Sequence, residues 1–341
     1  MTIAKPIRLF LVVITCLLIP GVAWGNLDSR EMFIPTTISQ EAKQILQTVR
    51  PTKINARTRE EWQELFLQRE MMAGKIWQSS LDAFPASIEE IEVAGRTHYM
   101  ITPETFDASR ENRLLIYVHG GGYALFTAKS TIRNALVTAH YSRTRVLTVD
   151  YPKSWEEPFP AQRDMVIAVY RKMLDTYSPE CIGMYGDSAG ANAIIKAVLK
   201  ARDNGLPMPG VLGLISPGVD LSDTGDSHTI IRGYDPLLDY QLNLKAFTMA
   251  YTGEENLKDP RLSPIYDNYQ PGFPPSYIST GTRDLMLSHS ARLQRKLTDA
   301  GVKNRLFVHE GMWHVFQLYD IPEAKPAWQD MLLFFDEHLG M

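Results

Sequence analysis

Short apolar runs recur along this chain, each separated from the next by a stretch of helical pattern, and this alternation restricts the fold more than any other feature. The runs are 114–118, 146–149, 182–185, 211–215, 277–279 and 306–308. Each is too short for a buried helix and too continuously apolar for a strand with one wet face. Strands alternating with helices imply an α/β fold, with a mostly parallel central sheet and helices on both faces. Upstream, Ile91 and Val93 alternate with polar residues, Ala94-Gly95 can turn, and Tyr99 and Ile101 alternate again. That is the pattern of a β-hairpin. Chemistry in open α/β sheets collects at the carboxyl ends of the strands. A chain of 341 residues, 45% hydrophobic and 22% charged, can bury one large core. It has no internal repeat that would suggest a solenoid.

The first 25 residues have a different character. Lys5 and Arg8 precede an apolar run over 9–19, Pro20-Gly21 breaks it, and Ala23 and Gly25 are small. This reads as a secretory signal peptide cleaved near Gly25, giving an exported, periplasmic or secreted protein. The alternative is an uncleaved N-terminal anchor, for which the run is short. Loss of Lys5 and Arg8 takes the formal charge from −4 to −6. A mildly acidic surface does not attract phosphate backbones or anionic lipid, so neither nucleic acid nor a stable membrane partner is expected. The remaining chain keeps one cysteine, Cys181, and therefore no intramolecular disulfide. No cysteine or histidine spacing suits zinc or an iron–sulfur cluster.

Residues 26–86 read as helical. Thr58 and Glu61 form a capping-box pattern, and Trp62, Leu65, Phe66, Met72 and Ile76 follow at helical spacing. The segment is either a helix packed on the main core or a lid over the site, with Met71-Met72 and Trp77 as an adaptable lining. Residues 87–341 read as the main α/β domain.

Residues 186–190 read Gly186-Asp187-Ser188-Ala189-Gly190, between an apolar run and a helical stretch over 191–201. This is the strand–turn–helix setting of a nucleophile elbow, which lifts a serine hydroxyl above the sheet. The helix also aims its N-terminal N–H groups at the site. His119-Gly120-Gly121-Gly122 directly follows another strand. Glycines let bare N–H groups approach a developing oxyanion, and Gly121, Gly122 and Ala189 are the candidate donors. His119 reads as structural, holding the loop. A phosphate-binding loop would need a Lys-Ser/Thr sequel, which is missing. A nucleophilic serine needs a base and an orienting carboxylate, in the chain order Ser, Asp/Glu, His. Asp284 and His314 stand after successive strands and satisfy that order. His309 is the nearest rival but ends its strand, and His338 lies in the last helix.

With these residues the chain resembles the bacterial hormone-sensitive-lipase-like esterases, of α/β-hydrolase fold, from about residue 112 to the C-terminus. The resemblance is carried by His119 to Gly122 and Gly186 to Gly190, then Ser216-Pro217 with Asp220-Leu221. It continues through Leu262-Ser263-Pro264, Gly281 with Asp284, and Gly311 to His314. The stretch from Asp150-Tyr151 to Phe159-Pro160-Ala161 is also similar. There, however, the usual Arg-Leu-Ala-Pro-Glu core is replaced by Pro152-Lys153-Ser154-Trp155-Glu156. Val315 stands where such enzymes often carry glycine. The resemblance implies a helical cap built from the N-terminal helices and an insertion over 224–252, which carries Leu237, Leu238, Phe247, Met249 and Tyr251. It also implies hydrolysis of short- to medium-chain acyl esters, or of lactones, with no cofactor.

Three functions compete. One is a serine carboxylesterase or lactonase acting on a small-molecule ester. The second is a non-catalytic ligand-binding protein on the same scaffold, against which the intact triad positions argue. The third is a serine peptidase of this fold, which often carries a substrate-gating domain for which the chain has no room. Edge-strand homodimers occur among similar proteins, and a homodimer is left open.

Overall fold

The computed structural model describes residues 33–73 and 77–340. The segment 1–25, with the signal-peptide expectation that rests on it, and the side chains of Met72 and Ile76 lie outside the described residues.

Eight strands form one sheet: β1 (Ala86–Val93), β2 (Arg96–Pro103), β3 (Leu114–Val118), β4 (Arg145–Val149), β5 (Ile182–Asp187), β6 (Val211–Ile215), β7 (Ser276–Gly281) and β8 (Asn304–His309). Their order is β1-β2-β4-β3-β5-β6-β7-β8. The hairpin β1–β2 is antiparallel and pairs antiparallel with β4. Every pairing from β4 to β8 is parallel. The apolar runs of the sequence all became strands, two of them, β3 and β6, with the expected limits.

Side-chain alternation along each strand divides the core between the two faces. Leu114, Ile116 and Val118 pack with Val166, Ile194 and Leu293. These come from α5 (Ala161–Met173), α6 (Ala189–Asp203) and α9 (Leu287–Asp299). Leu115 and Tyr117 face the opposite way, toward Leu136, Trp328 and Phe335. These belong to α4 (Ile132–Ser142) and α10 (Ala324–His338). Both faces are dry, which explains why the parallel strands are apolar without alternation.

The N-terminal region is less continuous than its pattern suggested. It holds α1 (Gln40–Thr48), α2 (Arg59–Ala73) and α3 (Trp77–Ala83), and residues 49–58 are not helical. Pro51 accounts for the break: it restricts Arg50 to extended backbone and removes an N–H donor. The Thr58–Glu61 capping box is present. The Thr58 hydroxyl accepts from the Glu61 N–H at 3.3 Å, and the Glu61 carboxylate accepts from the Thr58 N–H at 3.0 Å. Trp62 is buried, and Leu65 and Phe66 are half-buried. Met71 is exposed, and Trp77 packs on Tyr99 of β2.

The insertion contains α7 (Ser227–Ile230), a wide turn over Tyr240–Leu244, and α8 (Lys245–Thr252). Backbone and side-chain bonds tie it to the N-terminal region. The Ile54 N–H donates to Leu242 at 2.8 Å, and the Asn243 amide donates to Thr52 at 3.3 Å. The Trp62 and Phe247 rings meet at 5.6 Å.

Candidate active site

Ser188 sits between β5 and α6 with φ 53° and ψ −117°. A non-glycine residue adopts this backbone only under strain, typically about 1–3 kcal/mol, when its surroundings hold it there. They do so here: the Ser188 N–H donates to Ile215 of β6 at 2.9 Å. Gly190 must be a glycine because a β-carbon there would collide with the Val118 carbonyl. That close approach brings the end of β3, and the loop that follows it, against the elbow.

The loop 119–122 is fixed by its neighbours. The Gly120 N–H donates to the Asp187 carboxylate at 3.1 Å, and the Tyr117 hydroxyl donates to the same group at 2.6 Å. Gly121 then turns with φ 106°, a conformation that only glycine adopts readily. Among the described residues no acceptor pairs with the N–H groups of Gly121, Gly122 or Ala189. The Asp187 carboxyl is pushed up to about 6 by burial, against the Tyr117 hydrogen bond and the His314 charge.

His119 opens this loop. Its ring is buried and stacks on Tyr151 at 4.2 Å, and its Nδ1 donates to the Gly120 carbonyl at 2.7 Å. Burial, with Lys153 nearby, lowers its pKa to about 3, so the imidazole is neutral. The divergent stretch 152–156 supports the end of this loop. The Ser154 N–H donates to Tyr123 at 2.8 Å, and the Trp155 indole donates to Ala124 at 3.0 Å.

Asp284 and His314, thirty residues apart in sequence, are joined at 3.0 Å, Oδ1 to Nδ1. Asp284 is fully buried and also accepts from the Thr280 hydroxyl at 2.8 Å and the Met286 N–H at 2.9 Å. Burial alone would raise its pKa, but the His314 imidazole, the Ser216 hydroxyl and the Met286 N–H hold it below the usual carboxylate range. Burial alone would lower the pKa of His314, but Asp284 outweighs it and the net shift is upward. The histidine loop is braced from outside the sheet: Met312, Trp313 and Phe316 pack against Ala42 and Leu46 of α1. Val315 has φ 50° and ψ 37°, left-handed backbone that glycine would adopt without strain. Its N–H donates to the Ser216 hydroxyl at 3.0 Å.

The structure thus gathers the predicted residues at the carboxyl ends of β3, β5, β7 and β8. The Ser188 hydroxyl makes no hydrogen bond to His314 among the described residues. The elbow and the imidazole are close enough that Asp187 adds to the upward shift of His314. The sequence reading missed three supporting residues. Ser216 appeared only as part of a family motif, Thr280 not as a partner of Asp284, and Asp235 not at all. A cleft of about 1170 Å³ opens beside the β1–β2 hairpin and the start of α5 and contains none of the triad positions.

A doubly covered parallel sheet with a strained serine elbow and an Asp–His pair on later strand-end loops defines an α/β-hydrolase. A family model described as alpha/beta hydrolase fold matches residues 115–318. An esterase from Acinetobacter venetianus is 34% identical over 227 residues, covering 65% of this chain and 74% of that one. An acetyl-hydrolase from Streptomyces hygroscopicus is 30% identical over 223 residues, covering 64% and 74%. The crystal structure of esterase E25 superposes with a TM-score of 0.84 at 33% identity, covering 90% of this chain and 96% of that one. An esterase from the bacterial hormone-sensitive lipase family gives 0.77 at 26% identity, covering 89% and 99%. The chain belongs to this α/β-hydrolase family, among its bacterial hormone-sensitive-lipase-like esterases, and is a carboxylesterase-like hydrolase.

Proposed function

We propose that the chain cleaves small carboxylic esters through Ser188 as nucleophile, His314 as general base and acid, and Asp284 as the group that orients and stabilises the imidazole. The Asp284–His314 bond of 3.0 Å, placed beside the Ser188 elbow, carries this reading. Neutral His314 takes the Ser188 proton as Oγ bonds to the ester carbonyl carbon. The carbonyl oxygen becomes an oxyanion, for which the unpaired N–H groups of Gly121, Gly122 and Ala189 are available as preorganised donors. The tetrahedral centre collapses, the bond to the alcohol oxygen breaks, and His314 returns its proton to the leaving alcohol. Water then attacks the acyl-enzyme with His314 again as base, releasing the acid and restoring the serine.

The substrates are short- to medium-chain acyl esters or lactones, and the segments 26–86 and 224–252 act as the cap that selects among them. The contact of Trp62 with Phe247 favours this assignment, since Phe247 lies against Gly122, with no room for a β-carbon between them. The protein is exported after cleavage near Gly25, on the strength of the charged start and apolar run. Ser188→Ala is the decisive variant. It should fold normally, lose covalent labelling by a fluorophosphonate, and lose turnover of p-nitrophenyl esters. A folded variant with near-normal esterase activity would remove Ser188 from the mechanism.

A further inference from the structure

The insertion sends a second buried carboxylate to the Asp284–His314 pair. Asp235 is 1% exposed. Its Oδ1 accepts from the backbone N–H groups of Leu237 at 2.9 Å and Leu238 at 3.2 Å. These bonds fold the local turn. Its Oδ2 reaches out of the insertion and accepts from the Leu285 N–H at 2.9 Å, immediately after Asp284. The Leu285 carbonyl is held from the same side: the Ser227 hydroxyl donates to it at 2.6 Å and accepts from the Ser288 N–H at 3.1 Å. Both polar backbone groups of the residue that follows Asp284 are therefore satisfied by side chains of the insertion.

We infer that Asp235 is a positioning residue for the ester hydrolysis: it fixes the acid loop through Leu285, and its negative charge favours the His314 imidazolium that forms in the transition state. The inference rests on the triad reading above. The groups facing His314 are Asp284 from the loop after β7, Asp235 from the insertion and Asp187 from the end of β5. Those facing Asp235 are His314, Asp284 and, farther along the histidine loop, Tyr319. Asp284 already occupies Nδ1 of the imidazole, so Asp235 acts through the field and through the loop. Burial and the neighbouring Asp284 charge raise the Asp235 carboxyl to about 6, against the pull of His314. It thus carries its charge near neutrality.

The experiment compares kcat/KM against pH for wild type, Asp235→Asn and Ser227→Ala on p-nitrophenyl acetate, with thermal melts to verify folding. Asparagine keeps an acceptor and removes the charge. The imidazolium loses one favourable interaction, which appears twice. The acid limb should move down by roughly one pH unit, and the plateau should fall by roughly tenfold. Ser227→Ala disturbs the same loop without changing charge, so it should lower the plateau and leave the limb in place. An Asp235→Asn protein with an unmoved acid limb overturns the inference, whatever its rate. As a direct check, the His314 ring resonances should titrate at higher pH in wild type than in Asp235→Asn, a comparison that cancels the contribution of Asp187, which also faces His314 and is raised to about 6. Equal midpoints also overturn the inference. Failure of the triad reading would appear separately, as esterase activity that survives Ser188→Ala.

Discussion

Phe247→Ala tests the proposal that the cap governs substrate choice. The ring hangs from α8, meets Trp62 of α2 at 5.6 Å and lies against Gly122, where a β-carbon would run into it. It therefore fills space next to a proposed oxyanion donor, where the first atoms of an acyl chain would pass. Removing the ring opens that space. Each methylene that enters it is worth about 0.8 kcal/mol, roughly fourfold in kcat/KM. The ratio of butyrate to acetate turnover should then rise by roughly fifteenfold, since the two acyl groups differ by two methylenes. Acetate is too short to use the new room, and its kcat/KM should stay within about threefold of wild type. The ring is only half-buried, so the lost pairing with Trp62 should cost about 0.5–1.5 kcal/mol of stability and not the full toll of an emptied core site. The assay is kcat/KM on p-nitrophenyl acetate, butyrate, hexanoate and octanoate, with a melting curve for each protein. A uniform fall across all chain lengths would show that Phe247 acts through stability or catalysis, and the selective-lid reasoning would fail.

The acid limb of the wild-type kcat/KM profile should have its midpoint above the ordinary imidazole value of 6.5, because His314 must be neutral to act as base and its pKa is raised. A midpoint below that value would contradict the ionised Asp284–His314 pair. Asp220 offers a stability test. Burial alone would raise its pKa, but the Ser222, Arg292 and Thr224 hydrogen bonds hold it at about 2, from an ordinary value of 3.8. A depressed pKa gives stability that is present above the unfolded value and lost as pH falls through the folded one. Urea melts should therefore show Asp220→Asn weaker by about 2 kcal/mol at pH 7, with the gap closing toward pH 2. N-terminal sequencing of the exported protein should begin near Asn26, and recovery of Met1 or Thr2 would refute cleavage.

The sheet was legible because a parallel strand buried on both faces leaves a plain mark, a short apolar run between helical stretches. β3 and β6 matched to the residue, and β7 and β8 extended past their apolar centres, since pairing with a neighbouring strand continues where hydrophobicity fades. Ser188, Asp284 and His314 could be singled out as candidates because each stands at a strand end, in the order expected of this fold. The supporting residues could not be found this way. Asp235 lies 50 residues from Leu285, and Ser216 lies 99 from Val315. An aspartate in an insertion and a serine before a proline have no local pattern that predicts such partners. The N-terminal helices were legible as helices, but nothing in the α1 sequence indicated that Ala42 and Leu46 would seal the histidine loop.

That seal bears on how the site tolerates its own strain. Among the described residues, Tyr123, Ser188, Ser216 and Val315 all have positive φ without being glycine, and all four stand on the loops that form the site. Each such residue costs free energy that a looser loop would recover by relaxing. Here relaxation is blocked by packing that carries no chemistry. Tyr123 stacks on Tyr251 at 3.9 Å and donates to Asn192 at 2.6 Å. Ser188 is pinned to β6, and Ser216 and Val315 are bonded to each other, with Trp313 and Phe316 buried beside them. The groups proposed to react are therefore held in place by the sheet and by α1. The proposed cap is built differently: α2 and α8 meet through Trp62, which is buried, and Phe247, which is half-buried, and Leu67, Met71 and Met249 remain exposed. On the proposed function, a rigid floor under a lightly packed roof would separate two demands on the same site, because changes in the roof would alter which acyl group fits without disturbing the geometry proposed to cleave it.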